Sequence, residues 1–396
     1  MQNHSDQKLF ANMFVANDAT VQNESYRAYP NLKSARWILP TNPIHRRGGI
    51  AAYRPAGLYG RSLKALIRLG LLRGEPAPLA SKSLDRVRRF IARTIEVPDV
   101  ALSLLVGTPG AYQKHTLRIM RSDGSALAYA KLADNDLSKR KVVNEHAILT
   151  RLSSVPNLEG MIPKVLFFGE LEDCLVIVTT PGSDTRGPHA FSALHWNFLK
   201  TLHAAFGARK SLFTTKIWAS INDTLKWLSG RASATWLSRI DLAVRYLRSE
   251  LQDENISLSL AHRDFTPWNT CSLADGIFVF DWEDAIFEAP PLHDVFHFHA
   301  IQDALARRKF RRNFASLMDI ESKIRGTPEV SSVKPESLFL FYLVDVASYY
   351  MRATLESPHI GNTLVLDWAE RELDYSISQW KHTRRAGFRA PNSRTL

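Results

Sequence analysis

Residues 258–284 read LSLAHRDFTPWNTCSLADGIFVFDWED, and this stretch decides the fold. The tripeptide His262-Arg263-Asp264 is followed by four residues and then by Asn269. The apolar run Ile277–Phe280 predicts a short buried strand, and it ends in Asp281. A carboxylate, an amide and a second carboxylate therefore lie close together along the chain, two of them on a loop and one at the end of a strand.

These three side chains suit phosphoryl transfer. The reaction needs a carboxylate that orients the attacking hydroxyl and accepts its proton, and Asp264 is the candidate. It also needs oxygen ligands for Mg²⁺, which neutralises charge on the β- and γ-phosphates, and Asn269 and Asp281 are the candidates. A carboxylate at the end of a buried strand is held rigidly, as electrostatic catalysis requires.

Complementary residues occur upstream. Lys131 lies within the apolar segment YAKLA, and Glu145 follows it by fourteen positions in the predicted helix VVNEHAIL. A strand lysine that binds the α- and β-phosphates, held by a helix glutamate, is the pair expected for nucleotide binding. The loop from Gly107 to Gly110 would cover the phosphates, because glycine permits close approach of the backbone.

The set resembles the protein-kinase-like superfamily, and within it the branch of the aminoglycoside phosphotransferases and choline kinases. Asp281-Trp282-Glu283, the FTPWN segment at 265–269 and the PPLHDV segment at 290–295 carry this resemblance, which covers roughly residues 100–350. It implies that His262 and Asp294 support the catalytic loop. Arg263 departs from the pattern, because that branch commonly has glycine at this position.

The predicted fold class is α+β. We expect a bilobal protein-kinase-like fold, with a small antiparallel β-sheet N-lobe that carries one helix and a larger, mainly helical C-lobe. The expected domains are a basic, partly disordered N-terminal extension (1–95), a nucleotide-binding N-lobe (96–182), a catalytic and acceptor-binding C-lobe (183–380) and a basic tail (381–396). Short strands are expected in 26–60, and helices in 61–73 and 83–96.

Charge is the notable feature of the composition. The 396 residues carry a net charge of +12, and residues 1–100 hold 16 Lys/Arg against 7 Asp/Glu. Two explanations of this excess remain open: the bases lie on solvated faces, or they attract a polyanion. The helix at 61–73 is amphipathic and basic, and it would either pack on the next domain or lie on an anionic membrane surface. Nucleic-acid binding through residues 27–93 is a further, less favoured reading.

The remaining composition predicts a cytoplasmic protein, peripheral at the membrane if the basic region binds there. The N-terminus MQNHSDQKLFANMF lacks a secretory pattern, and no apolar stretch reaches the length of a bilayer span. Cys174 and Cys271 are the only cysteines, too few for a disulfide framework or a cysteine zinc site.

The predicted function is an ATP- and Mg²⁺-dependent small-molecule kinase. Asp294 follows Asp281 by thirteen positions, which leaves no room for the long activation segment of a protein kinase. The partners are a nucleotide, with GTP not distinguished from ATP, and a small acceptor such as a sugar or amino alcohol. Asp345, Glu356 and Asp367 are candidate acceptor contacts. A catalytically inactive nucleotide-binding scaffold is an alternative, and so is an aminoglycoside resistance kinase, which the basic net charge disfavours.

Overall fold

The computed structural model describes residues 25–51, 53, 58–106, 114–310, 333–358 and 360–387. The chain divides into two compact units. The first, which we call the sheet unit, comprises Met1–Arg186, Cys271–Leu273 and Phe278–Glu283. The second, the helical unit, comprises Gly187–Thr270, Ala274–Ile277 and Asp284–Leu396. An antiparallel-sheet unit and a mainly helical unit confirm the predicted α+β class.

Within the described residues, the sheet unit contains one antiparallel sheet of eight strands, in the order β3-β1-β2-β4-β5-β6-β8-β7. The strands are β1 (Tyr26–Tyr29), β2 (Trp37–Pro40), β3 (Glu75–Pro76), β4 (Ala101–Val106), β5 (His115–Met120), β6 (Ala126–Ala133), β7 (Val165–Leu171) and β8 (Cys174–Thr179). Its helices are α1 (Pro43–Ala51), α2 (Leu58–Leu69), α3 (Pro78–Thr94) and α4 (Asp136–Leu152).

The alternation of side chains along β6 positions the predicted lysine. Ala128, Ala130 and Leu132 are buried in the core of the sheet unit, and Lys131 therefore points to the opposite face of the strand. Helix α4 starts five residues after Lys131, at a capping box in which the Asn135 side chain accepts hydrogen bonds from two backbone N–H groups. This helix buries Glu145.

The N-terminal region is continuous with the sheet, which the sequence does not predict. Strands β1–β3 extend the sheet beyond β4, and Tyr26 and Ile38 share a hydrophobic core with Ile91 and Leu102. The helix predicted at 61–73 ends earlier, at Leu69, because Gly70 adopts a φ of 77°, the left-handed conformation that commonly ends helices.

Helices dominate the helical unit. They are α5 (Ala193–Phe206), α6 (Lys216–Leu228), α7 (Ala234–Leu251), α8 (His293–Leu305), α9 (Pro335–Glu356) and α10 (Ile360–Gly387). The strands β9 (Ala208–Ser211), β10 (Asn255–Ala261) and β13 (Ile286–Ala289) form a sheet in the order β13-β10-β9, and β11 (Thr270–Leu273) pairs with β12 (Gly276–Val279). Helix α10 continues into the predicted basic tail.

The buried faces of α5 to α10 form one core in the helical unit, with Trp368, Phe339 and Phe296 among its largest members. Strand β10 contributes Ile256 and Leu258 to this core, so the loop that follows the strand starts from a fixed position. None of the helices in the described part of the chain is both long and apolar enough to cross a membrane.

Candidate active site

The catalytic loop of the helical unit follows β10 directly. The carboxylate of Asp294, at the start of α8, accepts hydrogen bonds from the backbone N–H groups of His262 (2.8 Å) and Arg263 (2.9 Å). The Asp264 N–H donates to His262 Nδ1 at 3.2 Å. All three loop residues are therefore held through their backbones, by one buried carboxylate and one buried imidazole.

Arg263 has a left-handed backbone, with φ of 64°. This conformation favours glycine, which gives a physical reason for the glycine of the pattern from which Arg263 departs. The arginine side chain has a defined partner, because its guanidinium donates to Asp345 Oδ1 at 2.6 Å and Oδ2 at 3.1 Å. His293 Nε2 also lies 2.9 Å from Asp345 Oδ2. Burial alone would raise the pKa of Asp345, but Arg263 and His293 lower it to about 2.

Both oxygens of the Asp264 carboxylate are engaged. The Asn269 amide donates to Oδ2 at 2.7 Å, and His297 Nε2 lies 3.3 Å from Oδ1. The Tyr342 hydroxyl lies 3.2 Å from the other ring nitrogen of His297. Burial keeps the pKa of Tyr342 well above its usual value, so the hydroxyl stays protonated and can donate to that nitrogen. His297 would then carry its proton on Nε2 and donate to Asp264.

A cavity of about 100 Å³ opens beside Asp264. Its lining combines charged and aromatic side chains. The lining residues, all in the helical unit, are Arg263, Asp264, Asp284, His293, His297, Asp345, Val346, Tyr349 and Tyr350. Of the three predicted acceptor contacts, Asp345 lines this cavity. Glu356 instead pairs with Arg352 at 2.9 Å, and Asp367 is exposed on α10.

The sheet unit brings together three predicted residues that are far apart along the chain. Lys131 Nζ lies 2.6 Å from Glu145 Oε1 and 2.5 Å from Asp281 Oδ1. Asp281 has a φ of 72°, an uncommon backbone conformation for a residue other than glycine. Burial would lower the pKa of Lys131, but Asp281 and Glu145 raise it above its usual value, so the lysine remains cationic.

Lys114 is a member of this cluster that the sequence does not predict. Its ammonium group lies 3.0 Å from Asp281 Oδ1 and forms an ion pair with Glu283. Burial lowers the pKa of Lys114. The two lysines together hold the pKa of Asp281 well below its usual value despite its burial. Lys114 immediately precedes β5. Lysines are common at strand ends, so the sequence around Lys114 does not indicate a role. Its role follows only from the acidic side chains that it contacts in the folded chain.

The carboxylates of the cluster meet the chemical requirements of a divalent cation. Oxygens of Glu145, Asp281 and Glu283 all lie within 4.8 Å of one another. Mg²⁺ prefers such oxygen ligands. In the helical unit, the Asn269 amide nitrogen is used in its bond to Asp264, which leaves the amide oxygen as the ligand atom. Both predicted metal ligands thus present oxygen atoms, Asp281 in the sheet unit and Asn269 in the helical unit.

The predicted site residues therefore fall into two clusters, one in each unit. Lys131, Glu145 and Asp281 meet in the sheet unit. The helical unit holds the second cluster, which consists of His262, Asp264, Asn269 and Asp294. Gly107 and Gly110 lie outside the described residues. His297 and Tyr342 are further contacts of the second cluster that the sequence does not predict. The one available signal is that His297 follows Asp294 by three positions, and residues at that spacing share a helix face.

No protein-family model matches the chain, and no curated protein sequence matches it. Solved structures do match. A thermostable mutant of aminoglycoside phosphotransferase APH(4)-Ia, in a ternary complex with AMP-PNP and hygromycin B, is 15% identical, with 74% of this chain and 98% of that chain covered and a TM-score of 0.49. Choline kinase from Cryptosporidium parvum Iowa II is 10% identical, with 76% and 97% covered and a TM-score of 0.49.

A third match is a choline/ethanolamine kinase family protein from Mesorhizobium loti, which is 17% identical, with 76% of this chain and 94% of that chain covered and a TM-score of 0.44. The matches include both groups of proteins that residues 258–284 resemble. Their TM-scores are below 0.5, so they do not assign an activity to this chain.

Proposed function

We propose that the chain is an ATP- and Mg²⁺-dependent small-molecule kinase, which transfers the γ-phosphoryl group to a hydroxyl of a sugar, an amino alcohol or a related acceptor. The observation that carries this proposal is the contact of Lys131 with both Glu145 and Asp281. These residues are up to 150 positions apart, and the sequence motif assigns all three to nucleotide and metal binding.

The chemistry assigned to the helical unit is proton acceptance. The acceptor oxygen attacks the γ-phosphorus, the bond from that phosphorus to the β-phosphate oxygen breaks, and the nucleoside diphosphate leaves. Asp264 takes the proton of the attacking hydroxyl. The hydrogen bonds of Asn269 and His297 to its two oxygens support this role, because they limit rotation of the carboxylate before the substrate binds.

We assign nucleotide binding to the sheet unit. Lys131 would bind the α- and β-phosphates, and Glu145 would hold its ammonium group in place. The sequence motif assigns Asp281 and Asn269 as oxygen ligands of Mg²⁺. When bound, the ion neutralises charge on the transferring phosphate. Lys114 adds a second ammonium group to this cluster and is a candidate for an additional phosphate contact.

The lining of the cavity beside Asp264 supports an acceptor that carries both a hydroxyl and a cationic or polar group. Tyr349 and Tyr350 provide aromatic walls, which attract cations as well as sugar rings. Asp284 adds a carboxylate to the lining, while the charge of Asp345 is matched by Arg263. An amino alcohol or an amino sugar meets these requirements, and so does a neutral sugar.

The test incubates the purified full-length protein with ATP labelled at the γ-phosphate and with fractionated pools of small molecules, aminoglycosides among them. Mass spectrometry identifies compounds that gain one phosphoryl group. Asp264→Asn is expected to lower kcat by about 10²- to 10⁴-fold, as for loss of a general base. Asp275→Asn is the matched control, because Asp275 lies exposed on the β11–β12 turn and should leave turnover unchanged.

Nucleotide binding, measured separately, distinguishes the alternatives. Binding of ATP with no phosphorylated product from any pool would identify the protein as a nucleotide-binding scaffold. Product formation that survives Asp264→Asn would show that another group accepts the proton. Absence of nucleotide binding in the wild-type protein would contradict the proposal as a whole.

A further inference from the structure

Helix α2 exposes an unusual concentration of apolar side chains. Among the described residues, the exposed fractions are 82% for Leu58, 81% for Tyr59, 41% for Leu66, 66% for Leu69 and 70% for Leu71, just beyond the helix. Single exposed leucines are common on soluble proteins and need no explanation. Five large apolar residues within fourteen positions form a patch, and contiguous patches usually mark interaction surfaces.

The exposed residues of the helix itself share one face. At about 100° per residue, Leu58, Tyr59, Leu66 and Leu69 fall within an arc of about 100° on the helical wheel. The opposite side of α2 carries Ile67, which is fully buried in a small cluster of the sheet unit with residues of β1 and β2. One face of the helix therefore anchors it, and the apolar face that we call the outer face of α2 points away from the core.

Positive charge lies along one side of this face. Residues 25–74 contain ten Lys/Arg and no Asp or Glu. Arg61 and Arg68 are exposed and lie beside the apolar arc, and Arg73 is exposed shortly after the helix. Lys64 is used differently, because its ammonium group donates to the backbone carbonyls of Ala51 and Tyr53 and so ties the helix to the preceding segment. The arginines are thus the cations that an external partner would meet.

We propose that the outer face of α2 binds the surface of a lipid bilayer rich in anionic headgroups. Apolar side chains on one face of a helix, flanked by arginine, are the arrangement that lets a helix lie in the plane of the membrane interface. The leucines and Tyr59 enter the boundary between headgroups and acyl chains, and Arg61 and Arg68 pair with lipid phosphates. A polynucleotide would use the arginines but not the exposed leucines, and an apolar protein groove would not need fifty residues free of acids.

This surface belongs to the sheet unit alone, and it does not depend on the proposed kinase activity. The experiment is flotation of the full-length protein with phosphatidylcholine vesicles, with and without phosphatidylserine. The wild-type protein is expected to float with the anionic vesicles and to be released by salt. Leu66→Ser/Leu69→Ser is expected to weaken binding at least about tenfold, through lost apolar burial. Arg61→Gln/Arg68→Gln should weaken it roughly 25-fold, at about fivefold per charge.

The matched control is Leu305→Ser/Leu355→Ser, which removes two exposed leucines of the helical unit and should leave vesicle binding unchanged. Thermal unfolding confirms that each variant is folded. Failure of the wild-type protein to bind anionic vesicles overturns the proposal, as does equal loss in the control. A dimer in sedimentation velocity that Leu66→Ser/Leu69→Ser dissociates, without vesicle binding, would assign the face to a second copy. DNA or RNA binding that only the arginine variant loses would assign it to a polynucleotide.

Discussion

Asp345→Asn is expected to destabilise the helical unit, because it removes the charge that holds a buried arginine. The guanidinium of Arg263 donates two hydrogen bonds to Asp345, and His293 lies within hydrogen-bonding distance of the same carboxylate. Asparagine has nearly the same shape but no charge. The substitution therefore changes the electrostatics of the network and leaves its packing almost intact.

The magnitude follows from the pKa of Asp345. It is lowered from 3.8 to about 2 in the folded protein, which corresponds to about 2.5 kcal/mol of stability from the ionised form. Removing one partner of a buried ion pair costs about 3–5 kcal/mol in other proteins. We therefore expect a loss of about 2–5 kcal/mol. Because the pKa is lowered, this stability is present above pH 3.8 and disappears as the pH falls through about 2.

The assay is urea unfolding at neutral pH, followed by circular dichroism. Asp367→Asn is the matched control, since Asp367 is exposed on α10 and its loss should change the free energy of unfolding by less than about 0.5 kcal/mol. The double variant Arg263→Met/Asp345→Asn should lose less than the two single variants together, because no unpaired charge remains buried. Additive losses, or an Asp345→Asn variant as stable as the control, would refute the ion-pair account.

Substitutions at three further residues test the candidate site. His297→Leu should lower kcat by about 10- to 100-fold with little change in KM for the acceptor, because Asp264 loses one orienting hydrogen bond. His297→Gln should restore part of the lost kcat. Steady-state kinetics that show only a change in KM would contradict this prediction. Lys114→Met should tighten Mg²⁺ binding to the nucleotide-free protein roughly tenfold in isothermal titration, because the lysine and the ion compete for Asp281. Weaker Mg²⁺ binding by this variant would contradict such competition. Lys131→Met should weaken ATP binding at least about tenfold in the same titration, and unaltered affinity would remove this lysine from the nucleotide site.

The parts of the site that the sequence predicts are those whose geometry is local or is carried by a spaced motif. His262, Asp264 and Asn269 lie on one short loop, so their proximity follows from the chain itself. Lys131 and Glu145 follow from the strand-and-helix pattern. Lys114 could not be predicted in this way, because a lysine at a strand end is usually solvated, and its pairing with Asp281 depends on the folded sheet unit.

The same distinction applies to the fold. Strands β4 to β8 and most of the helices have clear periodicity, whereas α1 lies in residues 26–60, for which only short strands are expected, and α10 is not predicted. Strands β1 and β2 have four residues each, and β3 has two, so their pattern does not identify a partner. Their place in the sheet depends on burial of Tyr26 and Ile38 against residues more than fifty positions away. A short stretch of sequence does not reveal such distant partners.

The location of the positive charge changes what the net charge implies about the acceptor. A basic chain disfavours a polycationic acceptor only if the bases surround the acceptor site. Instead, the excess lies in residues 25–74, and Lys114 and Lys131 are matched by carboxylates within the sheet unit. The cavity beside Asp264 is lined by more aspartates than arginines, so its local charge is opposite in sign to that of the whole chain. The acceptor's charge must therefore be inferred from this lining and not from the net charge of +12, to which residues 25–74 contribute ten bases and no acid.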